Sequence, residues 1–82
     1  MIIITVKLFA AYQEAYGQPE VTLEVPSGTT VAMVGDRIRE PFPSLQTLAP
    51  VTRYGINLTF VNPETLVQPG DEVVLVPPVS GG

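Results

Sequence analysis

The residues whose types and spacing could support chemistry stand together at the end of the sequence. They are two prolines and four residues of little bulk, Pro77, Pro78, Val79, Ser80, Gly81 and Gly82. Prolines favour an extended segment, and four more residues at roughly 3.3 Å each reach about 13 Å, enough to thread a narrow channel in another protein. Glycine has the thinnest backbone, so the pattern favours a reaction of the terminal carboxylate inside a partner's active site.

An inert end is the alternative interpretation, because chain termini are usually poorly ordered. The Gly81-Gly82 pair alone leaves both interpretations open. A reactive carboxylate would need activation, since an α-carboxyl with an ordinary pKa of roughly 3.3–3.7 is an anion at neutral pH and a poor electrophile. An acyl phosphate or acyl adenylate would supply the leaving group. The sequence contains no glycine-rich phosphate loop, so we expect an activating partner to use ATP and magnesium and this chain to bind no cofactor.

The composition limits what the chain can do alone. Its 82 residues include no His and no Cys, so it has no imidazole base, no thiolate nucleophile and no ligand set for structural zinc. We therefore expect a protein that is not an enzyme by itself. Eight acidic residues outnumber four basic ones, which argues against nucleic acid and favours a basic protein partner. No apolar run approaches the roughly 20 residues that span a bilayer, so we expect a cytoplasmic protein with no membrane partner.

Apolar periodicity predicts five strands. They are expected at residues 2–9, 21–25, 56–61, 66–67 and 72–76. The first strand would place Ile4, Val6 and Leu8 on one face and Phe9 on the other. The strand at 72–76 is apolar on both faces, as in a strand buried on both sides.

Two helices are predicted between these strands. A short helix follows the first strand and ends at Gly17, which suits a left-handed C-cap. The main helix begins after an N-cap at Thr29 or Thr30 and places an apolar stripe on the sheet. Its polar residues Arg37, Arg39 and Glu40 are expected on a solvated face. Residues 41–54 are expected to form an ordered but irregular connection, and Pro69-Gly70 is expected to occupy the centre of a type II turn.

The order of these elements favours an α+β domain in which one main helix crosses a mixed sheet. A helical crossover would allow the first and last strands to pair in parallel at the centre of the sheet.

Several segments resemble one known family in order and spacing. The specific part is the ending from Gly70 to Gly82, with the exception of Val76. The supporting segments are Val6 to Ala10, Gly17, Pro26 to Val31 and Ile56-Asn57. Together they resemble the MoaD family, the small sulfur-carrying subunit of molybdopterin synthase. The resemblance implies a ubiquitin-like β-grasp domain of about five strands over residues 1–76 and a flexible tail over residues 77–82.

The resemblance also implies a function for the tail. An E1-like, MoeB-like adenylyltransferase would adenylate Gly82, and sulfur from a sulfur-donating enzyme would convert it to a thiocarboxylate. The thiocarboxylate would then give its sulfur to precursor Z, bound by the MoaE-like large subunit, to form molybdopterin. Gly81 would be the slender residue behind the reactive one.

The same resemblance implies a partner-binding surface. Phe9, Phe60 and Val76 correspond to its contact positions, and Val76 replaces an aromatic residue that is frequent in the family. The tail residues Pro77, Pro78, Val79 and Ser80 would also bind partners. Burial in the core is the alternative for both phenylalanines, favoured for Phe60 and not for Phe9. Apolar residues on both faces of the first and last strands exceed what one helix can cover, so an exposed apolar patch is expected.

Other functions stay open at this point. A related carrier could serve thiamin thiazole, cysteine or thiolated tRNA synthesis. A ubiquitin-like modifier would form isopeptide bonds through Gly82, and a plain β-grasp interaction module would not need the Gly81-Gly82 ending.

Overall fold

The computed structural model describes residues 1–78. The tail residues at 79–82, on which the predictions for Val79, Ser80, Gly81 and Gly82 depend, lie outside the described residues. The elements along the chain are β1 (Ile2–Leu8), α1 (Ala11–Tyr16), β2 (Glu20–Val25), α2 (Val31–Arg39), α3 (Pro43–Gln46), a 3₁₀ turn (Ala49–Val51), β3 (Arg53–Ile56), β4 (Thr59–Val61) and β5 (Glu72–Val76).

The five strands form one mixed sheet in the order β2-β1-β5-β3-β4. β1 and β5 are parallel, with Val6 opposite Val73, and the other neighbouring pairs are antiparallel. α1 lies between the two strands of the β1–β2 hairpin and ends at Gly17, whose φ of 70° is left-handed. The predicted α+β class, the helix C-cap and the parallel pairing of the first and last strands are confirmed.

α2 packs on one face of the sheet and closes the core. Its N-cap is Thr30, whose side chain accepts a hydrogen bond from the Met33 amide at 3.2 Å. The predicted apolar stripe of the helix meets the predicted inner face of β1. The fully buried residues of α2, β1 and β5 are Val31, Val34, Ile38, Ile4, Val6, Leu8, Val73 and Leu75.

β5 differs from its prediction. Val73 and Leu75 are buried, but Val74 and Val76 are only half-buried. The expectation of burial on both faces is wrong, because α2 covers one face of the sheet and no second layer of described residues covers the other.

The segment 56–61 is a hairpin and not one strand. Its chain reverses at Asn57 and Leu58, both with positive φ (49° and 71°), and Ile56 pairs with Thr59. Two residues of positive φ between paired strands are typical of a type I′ turn. The expected short strand at 66–67 is also absent from the described sheet, since Leu66 makes one isolated bridge to Thr30.

The type II turn before β5 is confirmed. Gly70 has a φ of 79°, and the Asp71 amide donates to the Gln68 carbonyl at 3.1 Å. A positive φ at the third turn position is the conformation for which this turn requires glycine.

Arg39 is buried, so its expected position on a solvated face is wrong. Arg39 is only 3% exposed, and its guanidinium donates to the hydroxyls of Tyr12 at 3.1 Å and Tyr54 at 3.2 Å. A third bond reaches the Asp36 carboxylate at 2.8 Å. Burial alone would lower the pKa of Arg39, but its hydrogen bonds to Tyr12, Tyr54 and Asp36 raise it above the ordinary value. The arginine is therefore a structural cation of the core.

Candidate partner-binding site

The sheet face opposite α2, called the open face below, carries the candidate site. Residues directly opposite each other in the ladders share a face. Lys7 is opposite Val74, Val74 is opposite Gly55, and Gly55 is opposite Phe60. A continuous row of open-face positions therefore crosses four strands from β1 to β4.

The apolar part of the open face is concave. Its volume is about 370 Å³, and its lining includes Phe9, Leu58, Phe60, Val74 and Val76. Phe9 is 47% exposed and Phe60 is 65% exposed. The preference for burial of Phe60 in the core is therefore wrong, and the expectation that Phe9 lies outside the core is confirmed. The structure thus brings Phe9, Phe60 and Val76 together on one apolar surface.

Gly55 forms the floor of this concavity. A Cβ atom on Gly55 would stand 3.3 Å from the Thr59 carbonyl oxygen and 3.6 Å from the Val74 Cβ. The missing side chain leaves the space between Val74 and the phenyl group of Phe60 open. Gly55 could not be recognised as a site residue from its type alone, because a glycine within a strand equally indicates a bulge or a close backbone contact.

Charged residues border the concavity on the β1 and β2 side. The Lys7 ammonium donates to the Glu20 carboxylate at 2.8 Å and lies 3.9 Å from that of Glu72. The hydrogen bond and the charge of Glu20, with the charge of Glu72, raise the pKa of Lys7 above its ordinary value. This row of three charges limits the apolar surface on one side, as a polar rim does in a protein interface.

The β3–β4 turn presents a further residue that the sequence analysis missed. Leu58 is 92% exposed and lines the concavity. The only signal that could have placed a turn here is Asn57, since asparagine tolerates a left-handed conformation. Leucine at the next position carries no turn signal.

The chain passes from the open face into the tail at the end of β5. Val76 is opposite Arg53, and Pro77 is buried whereas Pro78 is exposed. Both prolines line a second concave surface with Phe60, Val76 and Arg53. The first two tail residues are therefore continuous with the apolar part of the open face.

The described part of this site is mostly apolar and is suited to binding a protein surface. Among residues 1–78, no cluster of three or more carboxylates is arranged to hold a metal ion. Within the same range, no helix is long and apolar enough to cross a membrane.

A helix held against a mixed β-grasp sheet, with the central strand leading into the C-terminal segment, defines a ubiquitin-like β-grasp protein. The solved structure of small archaeal modifier protein 1 from Methanosarcina acetivorans matches with a TM-score of 0.78 and 31% sequence identity. That match covers 100% of this chain and 98% of the other chain.

Within this class, the model of the ThiS family matches residues 6–82, and the chain belongs to the ThiS family. It is 37% identical over 79 residues to a molybdopterin synthase sulfur carrier subunit from Arabidopsis thaliana, covering 96% of this chain and 82% of the relative. It is 31% identical over 83 residues to the Mycobacterium tuberculosis protein of the same name, covering 100% of both. The resemblance to the MoaD family is confirmed.

Proposed function

We propose that this protein is the sulfur carrier subunit of a molybdopterin synthase and that Gly82 carries the sulfur as a thiocarboxylate. The observation that carries the proposal is the similarity to relatives of that name along 96% and 100% of the chain. The geometry supports it, because the apolar open face continues into Pro77 and Pro78. A partner that covers this face would meet the start of the tail.

The chemistry begins with activation of the tail by a separate enzyme. The Gly82 carboxylate attacks the α-phosphorus of ATP in an E1-like adenylyltransferase, and pyrophosphate leaves. A sulfur-donating enzyme then supplies sulfur at the oxidation level of sulfide, which attacks the acyl carbon and forms the thiocarboxylate as AMP leaves. ATP and magnesium stay with the activating enzyme, since the carrier has neither His nor Cys and no phosphate loop. This ATP-dependent step would take place in the cytoplasm.

The large synthase subunit is the second partner. It binds precursor Z and receives the thiocarboxylate of Gly82 as sulfur donor for the dithiolene of molybdopterin. Phe9, Phe60 and Val76 provide the apolar contact, and the tail from Pro77 to Ser80 places Gly81 and Gly82 in the active site. In this scheme the carrier contributes a reactive group and a binding surface, and its partners contribute the catalysts.

Mass spectrometry tests the proposal directly. After incubation with the activating enzyme, a sulfur donor and magnesium-ATP, the intact mass should increase by the difference between sulfur and oxygen, located in the peptide that ends at Gly82. A variant without Gly81 and Gly82 is the matched control and should show no shift. An unchanged wild-type mass would refute the proposal. Formation of the thiocarboxylate without transfer to precursor Z would refute the assignment to molybdopterin synthesis and indicate a carrier of another pathway.

A protein modifier is the second candidate, favoured by the 31% identity to small archaeal modifier protein 1. In that case Gly82 would form isopeptide bonds with lysine side chains. Tryptic digests of cell extracts would then contain lysines carrying the remnant 54–82 of this chain, because Arg53 is its last basic residue. These remnants should be lost when Gly81 and Gly82 are deleted.

A further inference from the structure

Leu58 combines two unfavourable features for a surface residue. Its φ is 71°, a left-handed conformation in which a leucine Cβ is crowded. Glycine or asparagine normally occupies such a position, and Asn-Gly is the preferred pair for a two-residue type I′ turn. Its apolar side chain is also 92% exposed. Neither feature stabilises the free protein, and strained residues of this kind concentrate at functional positions.

Hydrogen bonds hold the turn that presents Leu58. The Asn57 amide donates to the Glu72 carbonyl at 2.9 Å, and the Glu72 amide donates to the Asn57 side-chain oxygen at 3.0 Å. The Asn57 side-chain nitrogen donates to the Asp71 carboxylate at 3.2 Å. These three bonds attach the turn to the start of β5. Leu58 is thus presented by a fixed turn, which lowers the entropic cost of binding.

Leu58 stands at the opposite end of the open face from the tail. The hairpin starts at Ile56, which is opposite Val73, whereas the tail follows Val76. Three residues of strand separate these points, or roughly 10 Å. A partner that holds both Leu58 and the tail must cover the apolar concavity between them, and two separated contacts fix its orientation.

We propose that Leu58 is an anchor residue that inserts into an apolar pocket of the large synthase subunit. This inference depends on the proposed function and extends the apolar contact beyond the predicted positions. Buried anchors at interfaces act mainly by slowing dissociation. The large subunit is the partner to which the proposed function assigns Phe9, Phe60 and Val76, and Leu58 lines the same concavity as these residues.

The test compares Leu58→Gly with the wild-type chain in binding and stability. Leu58→Gly should unfold at the same or a higher denaturant concentration, because glycine relieves the left-handed strain. Its Kd for the large subunit should rise at least tenfold, through faster dissociation. Leu58→Met, which keeps an apolar side chain, should stay within about threefold of wild type in Kd. Leu66→Gly is the matched control, since Leu66 is a 50% exposed leucine outside the open face, and should change Kd less than twofold.

Three results would overturn the inference. They are a Leu58→Gly Kd within twofold of wild type, a clear loss of stability in that variant, and an equal loss of affinity for the activating enzyme. Failure of the proposed function is separately visible, because wild-type carrier would then neither acquire the thiocarboxylate nor bind the large subunit. Under the inference, the wild-type carrier does both, and Leu58→Gly loses affinity for the large subunit.

Discussion

At the scale of single residues, a buried arginine organises the polar part of the core. The Thr52 hydroxyl donates its only proton to the Leu48 carbonyl at 2.7 Å. The 2.7 Å bond between Tyr12 and Thr52 therefore has Tyr12 as donor, and Tyr12 accepts from Arg39. One directed chain of hydrogen bonds thus connects α2, α1 and the irregular segment before β3. Every link is satisfied, which is the condition for a buried charge to be tolerated.

Removing the Arg39 guanidinium should destabilise the fold. Arg39→Met keeps the apolar volume but leaves the hydroxyls of Tyr12 and Tyr54 without a donor, and we expect a loss of about 2–3 kcal/mol in the free energy of unfolding. Arg37→Met, on the exposed side of the same helix, should change it by less than about 0.5 kcal/mol. Urea unfolding of both variants measures the difference. Equal stabilities would contradict the structural role of Arg39.

The alkaline stability of the protein should depend on Tyr16. Its hydroxyl donates to the Ile38 carbonyl at 2.7 Å, and burial raises its pKa above the ordinary value of 10.0. A pKa raised in the folded state gives stability that is complete below the unfolded pKa and is lost as pH rises through the folded pKa. The pKa of Lys7 is raised in the same direction.

Unfolding free energies measured from pH 8 upward should therefore begin to fall near pH 10. Tyr16→Phe should be less stable than wild type at pH 8, by about 1 kcal/mol for the lost hydrogen bond. Above pH 10, the free energy of unfolding of Tyr16→Phe should fall less steeply than that of the wild type. Parallel curves for the two proteins would refute the assignment to Tyr16.

At the scale of elements, the sequence predicted the parts of the fold that follow from apolar spacing. The inner face of β1 and the stripe of α2 follow from periods of 2 and 3.6 residues. The parallel pairing of β1 with β5 follows from the helical crossover in the element order. The hairpin at Asn57-Leu58 could not be predicted from apolar spacing, because the residues from Ile56 to Val61 alternate without interruption by glycine or proline. Likewise, the charge of Arg39 predicted a solvent-exposed position for its side chain. Its hydrogen-bond partners are two tyrosines that lie near it only in the folded structure.

Gly35, in the middle of α2, is another residue whose role could not be predicted from the sequence. From the sequence it only weakens a helix, by about 1 kcal/mol relative to alanine. In the structure, a Cβ on Gly35 would stand 2.9 Å from both Cε1 and Oη of Tyr54 and 3.0 Å from Nη1 of Arg39. Glycine therefore lets α2 approach β3 closely enough for Arg39 to reach Tyr54.

Gly35→Ala should destabilise the protein despite its better helix propensity. The methyl group displaces a buried ring that cannot move freely, and overpacking of this kind costs about 1–3 kcal/mol. In a Tyr54→Val background, where the ring is absent, the same substitution should become neutral or stabilising by up to about 1 kcal/mol. A double-mutant cycle by urea unfolding measures this reversal. The same loss in both backgrounds would show that the Tyr54 ring is not the obstacle.

At the scale of the whole molecule, the two faces of the sheet have different roles. α2 and its core occupy one face, while the open face carries apolar residues that no described element covers. The acidic net charge of −4 favours rapid encounter with basic partners. The proposed contact of Leu58, together with the tail, would set the orientation of the large subunit. We expect both proposed partners to use this face, because both must hold the tail that continues from it.

Mutual exclusion of the two partners is the consequence. A standard interface covers roughly 800 Å² on each side, about one sixth of the 4879 Å² that the molecule exposes, and one apolar concavity of this size cannot serve two partners at once. Titration with the large subunit should inhibit adenylation of Gly82 completely, measured as exchange between ATP and pyrophosphate on the activating enzyme. Leu58→Gly carrier should need at least tenfold more large subunit for the same inhibition. A ternary complex in analytical ultracentrifugation, or residual exchange at saturation, would show that the partners use separate surfaces.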